Sequence, residues 1–173
     1  MGKQNKLHGL WGIPVLILMV CLDQWTKAMA ITHLKDSAGI DLISGVLRLE
    51  YLENRGAAFG IFQNQQWISL VLAVIFLIAA IFFWVRMPVS HRMFPMRLIT
   101  VALAAGAIGN MIDRIIHHYV VDFIYFCLID FPIFNVADIY VTCSCALALI
   151  LVFFYYKDEE FDFLFGKEKG KAS

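Results

Sequence analysis

Nothing constrains this chain more than Trp67 to Val85, an uncharged apolar run. At about 1.5 Å per helical residue it is long enough to cross about 30 Å of hydrocarbon. Lipid offers no hydrogen bonds to an unpaired backbone, so such a segment spans as a helix. Two further stretches read the same way. Ile139 to Tyr156 is apolar and extends back through Phe134, and Leu98 to Ile116 is interrupted by Thr100, Asn110, Asp113 and Arg114. A fourth, Leu10 to Ile31, is apolar as far as Leu22 and then meets Asp23, Gln24 and Lys27. Composition agrees: 61% of residues are hydrophobic and 16% charged, against about 45–50% and 25% in soluble domains. The expected fold is one all-α membrane domain over residues 1–173, with four transmembrane helices near 10–31, 67–85, 98–116 and 134–156.

Lys3 and Lys6 ahead of the first apolar run resemble the start of a secretory signal, but bulky Val20 precedes Cys21 and no A-x-A-like site follows. The segment is therefore expected to stay as a helix. Four spans place both termini on one side, together with Lys3, Lys6, Arg86, Arg92, Arg97, Lys157, Lys167, Lys169 and Lys171. The positive-inside rule makes that side cytoplasmic. Acidic and basic residues number 14 each, which leaves no electrostatic case for nucleic acid. Cys21, Cys127, Cys143 and Cys145 have neither zinc nor redox spacing and read as small packing residues in the membrane.

The segment from Ile40 to Phe62 differs in kind. Leu47, Leu49 and Tyr51 alternate with Arg48 and Glu50, a strand pattern, and Asn54-Arg55-Gly56 supplies a turn. A small extracytoplasmic β-sheet lying on the membrane is expected over about 40–62.

Asp23, Lys27, Asp113, Arg114 and Asp138 lie within the spans. Each would cost roughly 2.5–3.5 kcal/mol at the bilayer centre. Five such costs rival a whole fold's stability of about 5–15 kcal/mol, so these groups must be paired, close to an interface, or both. Given the alternating direction of the spans, all five fall in the outer leaflet. Residues three or four apart share a helix face: Asp23 can meet Lys27, Asn110 can meet Asp113 and Arg114, and Asn135 can meet Asp138. Such groups also serve as interhelical glue, and Ala102, Gly106 and Gly109 permit close helix approach. Asp122 sits in the apolar Val120-Val121-Asp122-Phe123, between the third and fourth spans and near Asp138. No H-E-x-x-H is present for zinc, and Ser69 and Ser144 lie in spans without a histidine to activate them. No metal or cofactor is expected.

In this arrangement the chain resembles the bacterial lipoprotein signal peptidases, or signal peptidase II, along its whole length. Asp23-Gln24-Trp25-Thr26-Lys27 is similar to the family's first box and Asn54-Arg55-Gly56-Ala57-Ala58-Phe59-Gly60 to its second. The run from Gly106 to Arg114 is similar to the third, while Val120 to Phe123 and Phe134 to Asp138 complete the set. The resemblance implies an aspartic endopeptidase at the outer face of the cell membrane, removing signal peptides from prolipoproteins whose cysteine carries diacylglycerol. It implies Asp122 and Asp138 as the catalytic dyad, with Asn54, Asn110, Arg114 and Asn135 binding substrate. Asp23, Lys27, Gly56 and Asp113 would support the fold around them. Membrane lipid and the prolipoprotein are the expected partners of a monomeric enzyme. Ala105 and His118 stand where the family often has glycine. A small proton-coupled carrier and an assembly subunit are the alternative classes.

Overall fold

The computed structural model of the chain describes residues 10–56 and 66–165. Four helices are long and apolar enough to cross a membrane: α1 (Gly12–Leu34), α2 (Gln66–Arg86), α3 (Phe94–Ile116) and α4 (Val136–Phe154). Helix α1 runs on to Leu34, beyond the first apolar run, because the interface tolerates its polar last turn. Helix α3 starts earlier than its apolar run, at Phe94, with Pro95 in the first turn, where the missing N–H costs nothing.

Helix α2 has no buried residue, so its apolar side chains face lipid rather than a core. Helix α3 packs against the other three spans. Close approach requires small residues there: a Cβ on Gly106 would lie 2.6 Å from the carbonyl oxygen of Ala137 and 2.7 Å from Val141 Cγ2. Cys21, Cys143 and Cys145 are exposed on the outer faces of the helices, not in the helix packing expected of them, since the contacts between spans are taken by glycine, alanine and polar side chains.

Beyond one end of the bundle lies an antiparallel three-stranded sheet, β1 (Ile40–Ile43), β2 (Leu47–Asn54) and β3 (Val120–Tyr125), in the order β1-β2-β3. Strand β3 falls where the sequence reading had only a connector. Valine, isoleucine, phenylalanine and tyrosine favour a strand. With Val120 to Phe123 all buried, however, the alternation that reveals a half-buried strand is missing. Its register sets Leu52 opposite Asp122 and Asn54 opposite Val120. Val121 and Phe123 pack with Ala30 and Leu34, seating the sheet on the end of α1. Residues 57–62 of the expected β segment, with the last four residues of the second box, lie outside the described residues.

Inside this frame the most deeply buried large side chains are, besides Val120 and Val121, polar: Lys27, Asn135, Asp23, Asp113 and Asp122. Lys27 Nζ stands 2.9 Å from Asp23 Oδ2 and 3.1 Å from Asp113 Oδ2, and all three residues are at most 2% exposed. Each carboxylate also accepts from a backbone amide of another element: Asp23 from Ala137 N at 2.9 Å and Asp113 from Val121 N at 3.0 Å. Gln24 Nε2 donates to Asp113 Oδ1 at 2.9 Å and to Asp23 Oδ2 at 3.2 Å. One ammonium and its satellite hydrogen bonds thus tie α1 to α3, to the first turn of α4 and to β3.

At the opposite end, Met87, Met93, Met96, Ile99 and Tyr156 form an apolar cluster. Arg92 closes it, stacking 3.8 Å from the Tyr155 ring and pairing with Glu160 at 2.9 Å.

Two substitutions test these contacts. Gly106→Ala should gain about 1 kcal/mol of helix propensity yet lose about 1–3 kcal/mol to overpacking against a backbone oxygen that cannot step aside. The net loss, up to about 2 kcal/mol, should lower its thermal midpoint in detergent; a higher midpoint would show that α3 and α4 do not pack closely there. Lys27→Met removes the only cation from between two buried carboxylates and should destabilise by about 3–5 kcal/mol, as read from denaturant unfolding at neutral pH.

Candidate active site

Two carboxyl groups outside the Lys27 cluster come together at the sheet end of the bundle, one supplied by a strand and the other by a helix start. Asp138 occupies the third position of α4, whose N-cap is Asn135. The Asn135 side chain accepts from Asp138 N at 3.0 Å, and Asp138 Oδ2 accepts from Asn135 N at 3.1 Å. This reciprocal capping box satisfies two amides that a helix start leaves unpaired. It also places a carboxyl where the helix dipole favours negative charge.

Asn110 of α3 fixes the other oxygen of Asp138. Lysine has only donors to offer, so Asn110 presents Oδ1 to Lys27 Nζ, at 2.9 Å. Its Nδ2 is thereby turned to Asp138 Oδ1, at 2.8 Å. The buried ammonium therefore sets the orientation of an amide that in turn holds the carboxyl.

Asp122, 1% exposed on β3, is held by two amides. Asn135 Nδ2 donates to Oδ1 at 2.7 Å and Asn54 Nδ2 to Oδ2 at 2.8 Å. Asn54 is oriented by the turn after β2, where its Oδ1 accepts from Gly56 N at 3.0 Å. Asn135 also donates to Asn110 Oδ1 at 3.1 Å, so one residue contacts both carboxyls, Asp122 through its side chain and Asp138 through its backbone. Burial, reinforced by the nearby Asp138 charge, pushes Asp122 from 3.8 up to about 7, against the opposing pull of the Asn54 and Asn135 hydrogen bonds. Such a pair can hold a proton at neutral pH, which two separate surface aspartates would not.

Arg114 Nη1 donates to the Asn110 carbonyl at 3.1 Å, and Nη2 approaches the Gly56 carbonyl at 3.4 Å. The guanidinium thus bridges α3 and the turn after β2, and it forms no ion pair with Asp113, whose charge partner is Lys27. Asn54, Gly56, Asn110, Arg114, Asp122, Asn135 and Asp138 form one connected polar cluster, with Asp23, Lys27 and Asp113 beneath it.

Two features were not read from the sequence. Gln24 bonds to both carboxylates of the lysine cluster, as its place beside Asp23 could have suggested. His118 adopts φ 62°, the left-handed region that costs an L-residue about 1–2 kcal/mol, which gives a physical reason for glycine being common there. The strained turn at His118 redirects the chain from α3 into β3.

Comparison with known proteins agrees with this architecture. The sequence profile described as Signal peptidase (SPase) II matches residues 15–154. A lipoprotein signal peptidase of Streptococcus thermophilus (strain CNRZ 1066) is 42% identical over 138 residues, covering 79% of this chain and 89% of its own. One from Streptococcus pyogenes serotype M1 is 39% identical over 146 residues, covering 84% and 93%. A bacterial membrane enzyme solved by the in meso method at 2.3 Å resolution superimposes with a TM-score of 0.74 at 31% identity, over 91% of this chain and 92% of that one. None of these similarities supports a proton-coupled carrier. The profile spans most of the chain and the relatives match along most of their length, so the protein belongs to the signal peptidase II family of multi-pass membrane hydrolases.

Proposed function

We propose that the chain is an aspartic endopeptidase that removes signal peptides from diacylglyceryl-modified prolipoproteins, with Asp122 and Asp138 as its catalytic dyad. The observation that carries this reading is the placement of two carboxyls, buried Asp122 and half-buried Asp138, around one asparagine, next to the sheet. At working pH the pair shares one proton, because two neighbouring carboxylates in a poorly solvated site do not both ionise. The ionised carboxylate takes a proton from water, whose oxygen attacks the scissile carbonyl carbon. The protonated partner donates a hydrogen bond to the carbonyl oxygen as charge develops there. Collapse of the tetrahedral species breaks the C–N bond, and the leaving amine takes up a proton from the dyad. No acyl-enzyme forms, and the proton belongs to the pair rather than to either residue.

The supporting residues divide by their spare hydrogen-bonding capacity. A carboxamide has two N–H donors, and Asn135 spends both, on Asp122 and Asn110. Its role is to position the carboxyls. Among the described residues Asn54 and Asn110 each keep one N–H, and Arg114 keeps several, for an extended peptide backbone. Arg86, Arg92, Arg97 and Lys157 lie at the end away from the sheet, supporting cytoplasmic termini and an extracytoplasmic site under the positive-inside rule. A membrane-spanning signal peptide then presents its cleavage site at the outer interface, level with the dyad, while its diacylglycerol remains in lipid.

Asp122→Asn and Asp138→Asn should each lower kcat for a lipid-modified preprotein by about 10²–10⁴-fold while remaining inserted and folded; substantial cleavage by both variants would remove the dyad. The pH profile of kcat/KM should be bell-shaped, with its alkaline limb near the Asp122 value of about 7. Stability carries the same signature. The folded protein retains an Asp122 proton that the unfolded chain releases above about pH 4, so unfolding free energy should fall as pH rises through 4 to 7 and then level. Asp122→Asn should flatten that slope, and an equal slope in wild type and variant would mean that Asp122 titrates normally.

A further inference from the structure

Behind the turn that carries Asn54, a ring of side chains closes on the face of the sheet turned away from the dyad. Successive strand residues point to opposite faces, so Tyr51 and Glu53 lie opposite Leu52 and Asn54. Arg55 Nη2 reaches back to Glu53 Oε2 at 2.8 Å, and its guanidinium stands 5.4 Å from the centre of the Tyr119 ring. Tyr119 Oη lies 3.2 Å from Tyr51 Oη, which in turn lies 3.3 Å from Glu53 Oε1. Lys35, just past the end of α1, joins Glu53 Oε1 at 3.4 Å. The β2–β3 pairing ends at Asn54 and Val120, so the ladder does not reach residues 55 and 56. Yet Gly56 N must stay on Asn54 Oδ1, at 3.0 Å, for Asn54 Nδ2 to face Asp122. Arg55 is the central residue of that Asx turn, which Arg114 touches only at 3.4 Å.

We infer that Arg55, anchored on Glu53, is a positioning residue for the dyad: it holds the 54–56 turn so that Asn54 keeps its hydrogen bond to Asp122. The inference rests on the proposed dyad mechanism for its readout. The Arg55 and Glu53 side chains are 55% and 28% exposed, and an ion pair so open to water adds little to stability. A displacement of about 1 Å near the chemistry, by contrast, can cost about 100-fold in rate. The ring therefore matters to turnover far more than to folding. It matters to proton affinity as well. The Asn54 hydrogen bond stabilises ionised Asp122 and pulls its pKa down, so a looser turn raises it. The charged groups that face Asp122 from other elements, Asp138 on α4, Arg114 on α3 and Lys27 on α1, are separate from the ring. Loss of the Glu53 charge acting only through space has the opposite sign, because removing an anion lowers the pKa of a nearby carboxyl.

The test measures cleavage of a lipid-modified preprotein by purified full-length Arg55→Met, Arg55→Lys and Glu53→Gln, beside wild type and Asp122→Asn. Arg55→Met should lower kcat by about tenfold or more, with KM changed by less than about threefold. Its thermal midpoint should move by no more than about 4 °C. Arg55→Lys puts a cation back on Glu53, a single contact that an ammonium can make, and should keep most of the activity. Glu53→Gln should lower kcat and move the alkaline limb of kcat/KM upward by about half a pH unit. Wild-type kcat in Arg55→Met would overturn the inference, as would a limb that stays in place or moves down in Glu53→Gln. A raised KM at unchanged kcat would make Arg55 a substrate contact and equally defeat it. Should Arg55→Met fail to fold, the limb in Glu53→Gln decides alone. Cleavage that persists in Asp122→Asn defeats the dyad itself, whereas an inactive Asp122→Asn beside an unaffected Arg55→Met defeats the positioning role only.

Discussion

The structure turns on one ammonium group. Lys27 lies between Asp23 and Asp113, and its charge offsets what burying their carboxylates would otherwise cost. The two carboxylates reach beyond the pair to Ala137 N and Val121 N, the backbone amides directly next to Asp138 and Asp122. A charge cluster in the bundle therefore fixes the backbone on which each member of the proposed dyad is carried. The lysine acts a second time through Asn110, whose amide it orients toward Asp138. In lipid, where apolar surface gives helices little reason to associate, polar contacts of this kind supply specificity that a soluble protein draws from its core.

The two acidic groups of the lysine cluster and the two of the dyad illustrate opposite solutions to the same problem. Asp23 and Asp113 have a full positive charge, that of Lys27, between them. Asp122 and Asp138 have only amides for partners. Neutral donors do not fully offset burial beside a like charge, and under the proposed mechanism the pair lowers its charge from −2 to −1 by holding one proton, the half-ionised state that acid–base hydrolysis requires. That the two sets are neighbours is consistent with a single polar block built from α1, α3, β3 and the start of α4.

Much of this was legible because membrane segments are severe readers of sequence. Four apolar runs predict four helices, and charges inside them must find one another, as Asp23 and Lys27 do one turn apart. Strand β2 was visible through the alternation around Arg48 and Glu50. Strand β3 was not, because burial of successive residues from Val120 to Phe123 erases period two. The reading of Asp113 with Arg114 as one patch also missed the actual partner, since helix spacing describes only neighbours on the same element and Lys27 arrives from α1. Asn135, expected to meet substrate, has its side-chain donors on Asp122 and Asn110, a fact that depends on rotamers no spacing rule encodes. The motif boxes named residues that the fold brings into one polar cluster, and the hydrogen bonds within it are what the proposed division into positioning and substrate-facing residues rests on.

The central claim is that Asp122 and Asp138 share one proton around Asn135. Infrared titration with isotope-labelled aspartate measures this directly, by following the protonated-carboxyl band of wild type against the two single Asp→Asn variants. The account predicts a band worth one carboxyl that persists well above the ordinary aspartate range and titrates near pH 7, and that Asp138→Asn lowers the pH at which Asp122 ionises. Two carboxyls that both ionise near pH 4, each indifferent to replacement of the other, would contradict it.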